Sequence, residues 1–273
     1  VALWFAAFLG LVQGLTEFLP ISSTAHLVIA PALLGQPDAG AAFTAVLQLG
    51  TLLAVVAYFA RDLFVTMPRA LLFDRKSPEA RLAVHIAIGT VPIVVAGVLL
   101  KDYVTGPLRS LWVVAGALAG VAIIMFWGDR RGGGHRSMKE LTWVHALAIG
   151  MAQACALVPG VSRSGATITC ALVIGMARPD SARFSFLLGV PAIAGAGLFE
   201  MKEAIHKLGG AGWAPLALGV ATAAVTGYAS IAWLLRYLQR RTLAPFVVYR
   251  IVMAAILVAL ILSGLVPPLL PAG

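Results

Sequence analysis

Glu17, Ser23, His26 and Arg163 are the residues of this chain whose types and spacing could do chemistry. Glu17 is the only acidic residue inside an apolar run away from its ends, and Gln13 lies four residues earlier, on the same helix face. That face can hold a divalent cation (Mg²⁺ or Ca²⁺), orient a base, or pair with Arg163. His26 follows Ser23 by three residues, one helical turn. A hydroxyl with a neighbouring imidazole and carboxylate is the arrangement of an activated nucleophile. Arg163 sits inside an apolar stretch, where an insertion cost of roughly 2.5–3.5 kcal/mol marks a cation as a functional candidate. Its planar fork suits bidentate contact with phosphate oxygens. Each member alone has a plain structural explanation: a helical His is more often packing than chemistry, and Arg163 could merely neutralise Glu17. The set of four is what points to group transfer on an anionic substrate.

The elements that must position these residues are two broken apolar stretches. Residues 3–34 are interrupted by Pro20-Ile21-Ser22-Ser23-Thr24, and residues 141–177 by Pro159-Gly160-Val161-Ser162-Arg163-Ser164-Gly165. Each break leaves a second piece of about ten residues, too short to cross a bilayer. Helix, break and half-helix describe a re-entrant hairpin, and irregular backbone at membrane depth persists only where protein or a wet cavity satisfies it. The half-helices, 25–34 and 166–177, present N-termini whose unpaired N–H groups and partial positive charge suit an anion such as phosphate. Ser22, Ser23 and Thr24 are expected to cap the first, and Ser162 and Ser164 the second.

The rest of the chain is membrane-spanning in character. It is 60% hydrophobic and only 11% charged over 273 residues, against roughly 25% charged in a soluble domain. Disordered, collagen-like and coiled-coil classes are excluded. The net charge of +9 does not point to nucleic acid, because the basic residues fill short gaps between apolar runs, as cytoplasmic loops do. Six runs are long enough to cross: 41–60, 82–100, 111–127, 184–199, 214–235 and 246–266. If 141–177 enters and leaves on one side, fourteen Lys/Arg fall inside and four outside; a single crossing gives eleven and seven. The re-entrant reading follows, with the first hairpin dipping in from outside and the second, after the basic loop 128–140, from the cytoplasm. No cleavable leader is read. Cys155 and Cys170 lack metal or CxxC spacing and read as packing residues.

The two halves, about 1–127 and 141–266, read as copies of opposite orientation within one membrane domain. Gly10-Leu11-Val12-Gln13 parallels Gly150-Met151-Ala152-Gln153, each Gln precedes a Ser (Ser22, Ser162) by nine residues, and Gly89-Thr90-Val91-Pro92 echoes Gly189-Val190-Pro191. The expected fold is therefore all-α and polytopic, with six transmembrane helices and two re-entrant hairpins in an inverted-topology repeat and the site between the breaks. Gln48 and Gln153 are candidate cavity-lining residues, and His85 and His145 read as structural. Arg250 is a functional candidate whose plain alternative is to snorkel or tie a carbonyl.

Gln13-Gly14-Leu15-Thr16-Glu17-Phe18-Leu19-Pro20-Ile21-Ser22-Ser23-Thr24-Ala25-His26 resembles the first signature of the bacterial undecaprenyl-diphosphate phosphatase (bacitracin-resistance) family. Pro159 to Thr167 resembles the second, and Arg183 to Pro191 is also similar. The resemblance implies hydrolysis of undecaprenyl diphosphate to the monophosphate, returning the lipid carrier to cell-wall synthesis, in the inner (plasma) membrane. It implies Ser23 as nucleophile with His26 as its acid/base partner, His26 itself being the competing nucleophile. It makes Glu17 the essential acid and Arg163 the phosphate clamp. Ser22, Thr24, Ser162, Ser164, Gly165, Thr167 and Gln13 become substrate-binding residues, with Glu17 and Gln13 the metal candidates. Gln13 stands where Glu is frequent in the family, which weakens a two-carboxylate metal site, and Ala25 stands where Gly is common. The expected partners are a prenyl diphosphate lipid and bulk membrane lipid, with a second copy of the chain a further candidate. The site is expected to open toward the periplasmic or extracellular face. The competing reading, from a different class, is a secondary transporter or lipid flippase for a phosphorylated or prenyl-phosphate substrate, since broken inverted repeats are a transporter device.

Overall fold

The structure, a computed structural model, describes residues 1–36, 39–100, 103, 108, 110–131, 134–207 and 213–268, with side chains described for these apart from 41–42 and 198–207. Eleven α-helices carry the described fold: α1 Leu3–Phe18, α2 Ser23–Leu33, α3 Ala41–Tyr58, α4 Met67–Phe73, α5 Pro78–Leu99, α6 Leu111–Arg131, α7 Trp143–Cys155, α8 Arg163–Val173, α9 Arg178–Lys207, α10 Trp213–Tyr237 and α11 Ala244–Leu262. Helices α5, α6, α10 and α11 are long and apolar enough to cross a membrane. A fifth candidate is the pair Phe43–Tyr58 and Asp62–Phe73, bent by 67°. Their outward faces are apolar, as Val98 (74% exposed) and Val225 (71%) illustrate. This is an all-α, multi-pass membrane bundle.

Both breaks fall where local sequence stops a helix. Leu19 precedes Pro20, which disfavours helical backbone at Leu19; Leu19 is extended (φ −71°, ψ 143°) and α1 ends at Phe18. At the second break α7 ends at Cys155 and the chain turns through Pro159-Gly160. Gly160 has φ +94° and backs onto the Val114 carbonyl of α6, where a Cβ has no room.

Two expected loops are helical. Residues 61–81 contain a π turn, Asp62–Thr66, followed by α4, with Leu72 and Phe73 exposed. Helix α9 starts at Arg178, not 184, and runs through residues 200–207. Apolarity marks where a helix meets lipid, whereas backbone hydrogen bonding carries it further into polar sequence. The gap at 101–110 lies largely outside the described residues.

Two helix pairs are in close contact through glycine. Helix α1 lies along α10, with Gly10 against the Gly219 carbonyl, and α7 lies along α5, with Gly150 against the Gly89 carbonyl. Small residues permit such close backbone approach in membrane helices.

The half-helix α2 is wedged between two apolar clusters. Ala25 and Ile29 pack with Leu111, Val114, Leu118 and Leu257 of α6 and α11, while Leu27 packs with Phe5, Leu9, Phe43 and Leu47 of α1 and α3. Phe18, at the end of α1, meets Phe186 of α9 edge-on at 5.4 Å. Asp129, buried at the end of α6, receives Arg178 Nε at 2.7 Å and the Leu243 N–H at 2.9 Å, tying the starts of α9 and α11 together.

Candidate active site

The two breaks meet. They enclose a cavity of about 280 Å³ whose polar side is Glu17, Ser22, Ser23, Thr24, Gln48, Ser162 and Arg163. Its apolar side is formed by Ile93 of α5, Leu157 and Val158 of the second break, and Ala192, Ile193 and Ala196 of α9.

Glu17 is the hub of the polar side. Its Oε1 accepts from Arg163 Nη2 at 3.0 Å, and its Oε2 accepts from the Ser23 hydroxyl at 2.7 Å and from Gln13 Nε2 at 3.2 Å. Both charged side chains are nearly buried, at 13% and 11% exposure for Arg163 and Glu17. The pair thus neutralises itself at a depth where either alone is costly. Arg163 Nη1 is buried and has no hydrogen-bond partner among the described residues. An unused buried donor of this kind calls for a ligand or another specific explanation.

His26 is not where the spacing suggested. Its Nδ1 lies 2.7 Å from the Ser22 carbonyl and its Nε2 2.5 Å from the Tyr249 hydroxyl, so both ring nitrogens are committed away from Ser23. The residue that contacts the Ser23 hydroxyl is Glu17, six positions earlier and across the break. One helical turn separates Ser23 from His26 along α2, but their side chains take different partners, Glu17 for the serine and the Ser22 carbonyl and Tyr249 for the histidine.

The remaining candidates divide into lining and bracing residues. Ser22, Thr24 and Ser162 line the cavity with the residues above; Ser164, Gly165, Thr167 and Gln13 do not. Ser164 donates to the Leu19 carbonyl at 3.0 Å, joining the second half-helix to the first break. Thr167 donates to the Arg163 carbonyl at 2.8 Å and meets Ser185 of α9 at 2.5 Å. Gly165 presents its N–H to Ser162 Oγ at 3.2 Å, so Ser162 caps α8 as expected. Helix α2 has no side-chain cap from Ser22, so the expected capping of the first half-helix is not seen. Gln48 lines the cavity, whereas Gln153 is buried elsewhere with both amide atoms unpaired among the described residues. His145 and Thr142 form a capping box at the start of α7.

Arg250 is the residue whose weight the sequence did not reveal. It is completely buried and donates to five carbonyls: Leu118 (3.2 Å) and Ala117 (3.2 Å) of α6, Pro20 (3.3 Å) in the first break, and Gly160 (2.9 Å) and Val161 (3.1 Å) in the second. One guanidinium thus fastens both breaks to the same helix. Its signal in the sequence was an arginine in an apolar run with no acidic residue near it, which leaves carbonyls as its acceptors. Tyr249, its neighbour, was missed altogether.

The class so defined is a helical membrane bundle with a buried carboxylate–arginine pair and a serine at the junction of two broken helices. The model of the family described as "Bacitracin resistance protein BacA" matches residues 6–256. The chain is 47% identical over 271 residues to an undecaprenyl-diphosphatase of Synechococcus sp. (strain RCC307), covering 96% of this chain and 95% of the relative. It is 44% identical to one of Nocardioides sp. (strain ATCC BAA-499 / JS614), over 96% and 97% of the two chains, and 45% identical to one of Myxococcus xanthus (strain DK1622), over 97% and 91%. The chain belongs to the BacA family.

Proposed function

We propose that the protein is an undecaprenyl-diphosphate phosphatase, hydrolysing the lipid diphosphate to undecaprenyl phosphate and inorganic phosphate, and that this recycling of the cell-wall lipid carrier underlies bacitracin resistance. The relatives carry the name of that activity, and one observation in the site supports the chemistry: the Ser23 hydroxyl donates to the Glu17 carboxylate at the wall of a cavity that also holds Arg163. A transporter needs a place for the anion but no serine hydrogen-bonded to a carboxylate beside it.

The mechanism assigned to this geometry is a two-step phosphoryl transfer. The terminal phosphate lies between the breaks, its oxygens held by Arg163 and the uncapped N–H groups of α2; such fixed donors are the usual main source of catalysis in this chemistry. Ser23 Oγ attacks the terminal phosphorus as its proton passes to Glu17 Oε2. The bond from phosphorus to the bridging oxygen breaks, its electron pair leaves with the prenyl phosphate, and a phosphoserine remains. Water then attacks that phosphorus, the bond from phosphorus to Ser23 Oγ breaks, Glu17 returns its proton to Oγ, and inorganic phosphate departs carrying both hydrogens of the water. Arg163 steadies the charge in both steps, with Glu17 fixing its orientation. His26 contacts the carbonyl of the residue before the nucleophile, so we assign it no proton from Ser23.

A divalent cation, Mg²⁺ or Ca²⁺, fits the donor set if the diphosphate supplies most of its oxygens, as is usual for Mg²⁺. Among the described residues Glu17 is the one carboxylate lining the cavity, and Gln13, bonded to it from behind the wall, has a buried Oε1 without a hydrogen-bond partner. When bound, the cation would neutralise phosphate charge. We further propose the finer topology: six spans, with α1–α2 and α7–α8 as re-entrant hairpins, in halves of about 1–127 and 141–266 related by inversion. The packing of α1 on α10 and of α7 on α5 supports it. The charge bias then opens the site toward the periplasmic or extracellular side.

The test is phosphate release from a long-chain prenyl diphosphate in detergent, with and without chelator, for wild type, Ser23→Ala, Glu17→Gln, Arg163→Ala and a distal control, His145→Ala. Turnover by wild type and control with near-background rates in the three variants is expected. A folded but inactive wild type across several divalent ions overturns the phosphatase and favours the transporter.

A further inference from the structure

The two breaks share one unusual backbone feature. Ser22 (φ 74°) and Ser162 (φ 70°) are the only non-glycine residues with positive φ among the described residues, and each immediately precedes a half-helix. Such a conformation costs of order 1–3 kcal/mol and persists only where the surroundings enforce it. The turn at Ser162 is held by its own side chain, which accepts from the Gly165 N–H, and by Arg250 on the Gly160 and Val161 carbonyls. The turn at Ser22 lacks that cap. Arg250 reaches it only at Pro20, and the group on the Ser22 carbonyl itself is His26 Nδ1.

The partners fix the imidazole tautomer. A carbonyl only accepts, so the Ser22 contact places the proton on Nδ1 and leaves the Nε2 lone pair to accept from the Tyr249 hydroxyl. The two rings also stack, 5.5 Å apart and within 9° of parallel. Tyr249 stands next to Arg250 on α11, so one helix reaches the first break at Pro20 through Arg250 and at Ser22 through Tyr249 and His26.

We propose that Tyr249 and His26 are positioning residues: the Tyr249 hydroxyl anchors the His26 ring through Nε2, and His26 Nδ1–H holds the Ser22 carbonyl, which sets the strained turn that presents Ser23 to Glu17 and the substrate. His26 in this role replaces, for the first break, the serine cap that the second break has. The kinetic part of the proposal rests on the phosphatase reading above; the spectroscopic part does not.

The experiment uses the full chain in detergent micelles, labelled with ¹⁵N in the histidine rings, with the His26 signals assigned by their loss in His26→Asn. Wild type is expected to show a protonated Nδ1 and an unprotonated Nε2 at His26. Tyr249→Phe keeps the ring stack and removes only the hydroxyl. It is expected to fold normally, keep the proton on Nδ1, shift the His26 Nε2 resonance as that nitrogen loses its donor, and reduce kcat about tenfold with KM within twofold. His26→Asn places an amide N–H near the position of Nδ1 and is expected to stay within about tenfold of wild-type kcat, whereas His26→Ala falls at least a further tenfold. A proton on Nε2 in wild type, or an unchanged kcat in Tyr249→Phe, overturns the proposal. So does a His26→Asn variant as inactive as His26→Ala, which is the outcome for a histidine that itself moves a proton. If wild type releases no phosphate, the phosphatase reading fails and the tautomer measurement still decides the positioning role.

Discussion

Replacing Arg250 by Met tests whether one side chain assembles the site. Of its five acceptors, Ala117 and Leu118 are in mid-helix, while Pro20, Gly160 and Val161 lie in the breaks and have no other donor among the described hydrogen bonds. Leaving a buried acceptor unpaired costs about 1–3 kcal/mol, so three orphaned carbonyls cost about 3–9 kcal/mol. Removing the cation returns roughly 2.5–3.5 kcal/mol of its insertion penalty. The net loss is about 3 kcal/mol, a large share of a total stability of about 5–15 kcal/mol. If the released breaks relax into a state without the Ser23–Glu17 contact, the competent form becomes the minor one, and turnover falls about a hundredfold, since each 1.36 kcal/mol is tenfold. Arg250→Lys keeps the charge but offers three donors from a point and no fork, so an intermediate loss is expected. The assays are phosphate release and tryptophan-monitored thermal unfolding in micelles, compared at one scan rate because such unfolding is commonly irreversible. A folded Arg250→Met protein with wild-type kcat and unfolding midpoint refutes the role given to Arg250.

Three further outcomes follow from the packing. A Cβ on Gly189, in α9, would stand 2.7 Å from Arg163 Cζ and closer still to Nη1; Gly189→Ala is therefore expected to fold but shift the guanidinium, lowering kcat/KM about 10- to 100-fold in the phosphate-release assay. The cavity, at about 280 Å³, is just below the roughly 300 Å³ lower bound of pockets that enclose a drug-sized ligand, so it holds the diphosphate and the start of the tail while the rest stays in lipid; Ala196→Phe is expected to raise KM for a long prenyl diphosphate at least fivefold while changing that for a short-chain analogue less than twofold. Asp129→Asn weakens the partly exposed Arg178 pair and the bond from the Leu243 N–H, costing about 2 kcal/mol, visible as a lower unfolding midpoint with turnover per folded molecule unchanged.

Much of this was legible in the sequence because membrane burial makes polar residues informative. Apolar runs located α5, α6, α10 and α11 closely, since lipid dictates length and composition, and Pro20 and Pro159-Gly160 located both breaks, since proline and glycine act on their own backbone. An acid at 17 and an arginine at 163 each had to find a partner, and they find one another. Helix ends were legible less well: α9 continues at both ends into polar sequence that composition read as loop.

What the sequence could not specify is which polar groups share a neighbourhood once the chain folds. Spacing along α2 offered His26 to Ser23, yet the break re-aims the serine toward Glu17, and α11, more than two hundred residues away, claims the histidine through Tyr249. Arg250 looked like one more arginine near a helix end; its importance comes from lying where Pro20, Gly160 and Val161 converge with carbonyls unpaired by any helix. Residue types and local backbone preferences fixed the elements and the chemistry available to them. The pairings were decided by tertiary structure, because a hydrogen bond depends on distance in space and the breaks remove the helical register that would otherwise relate sequence to space.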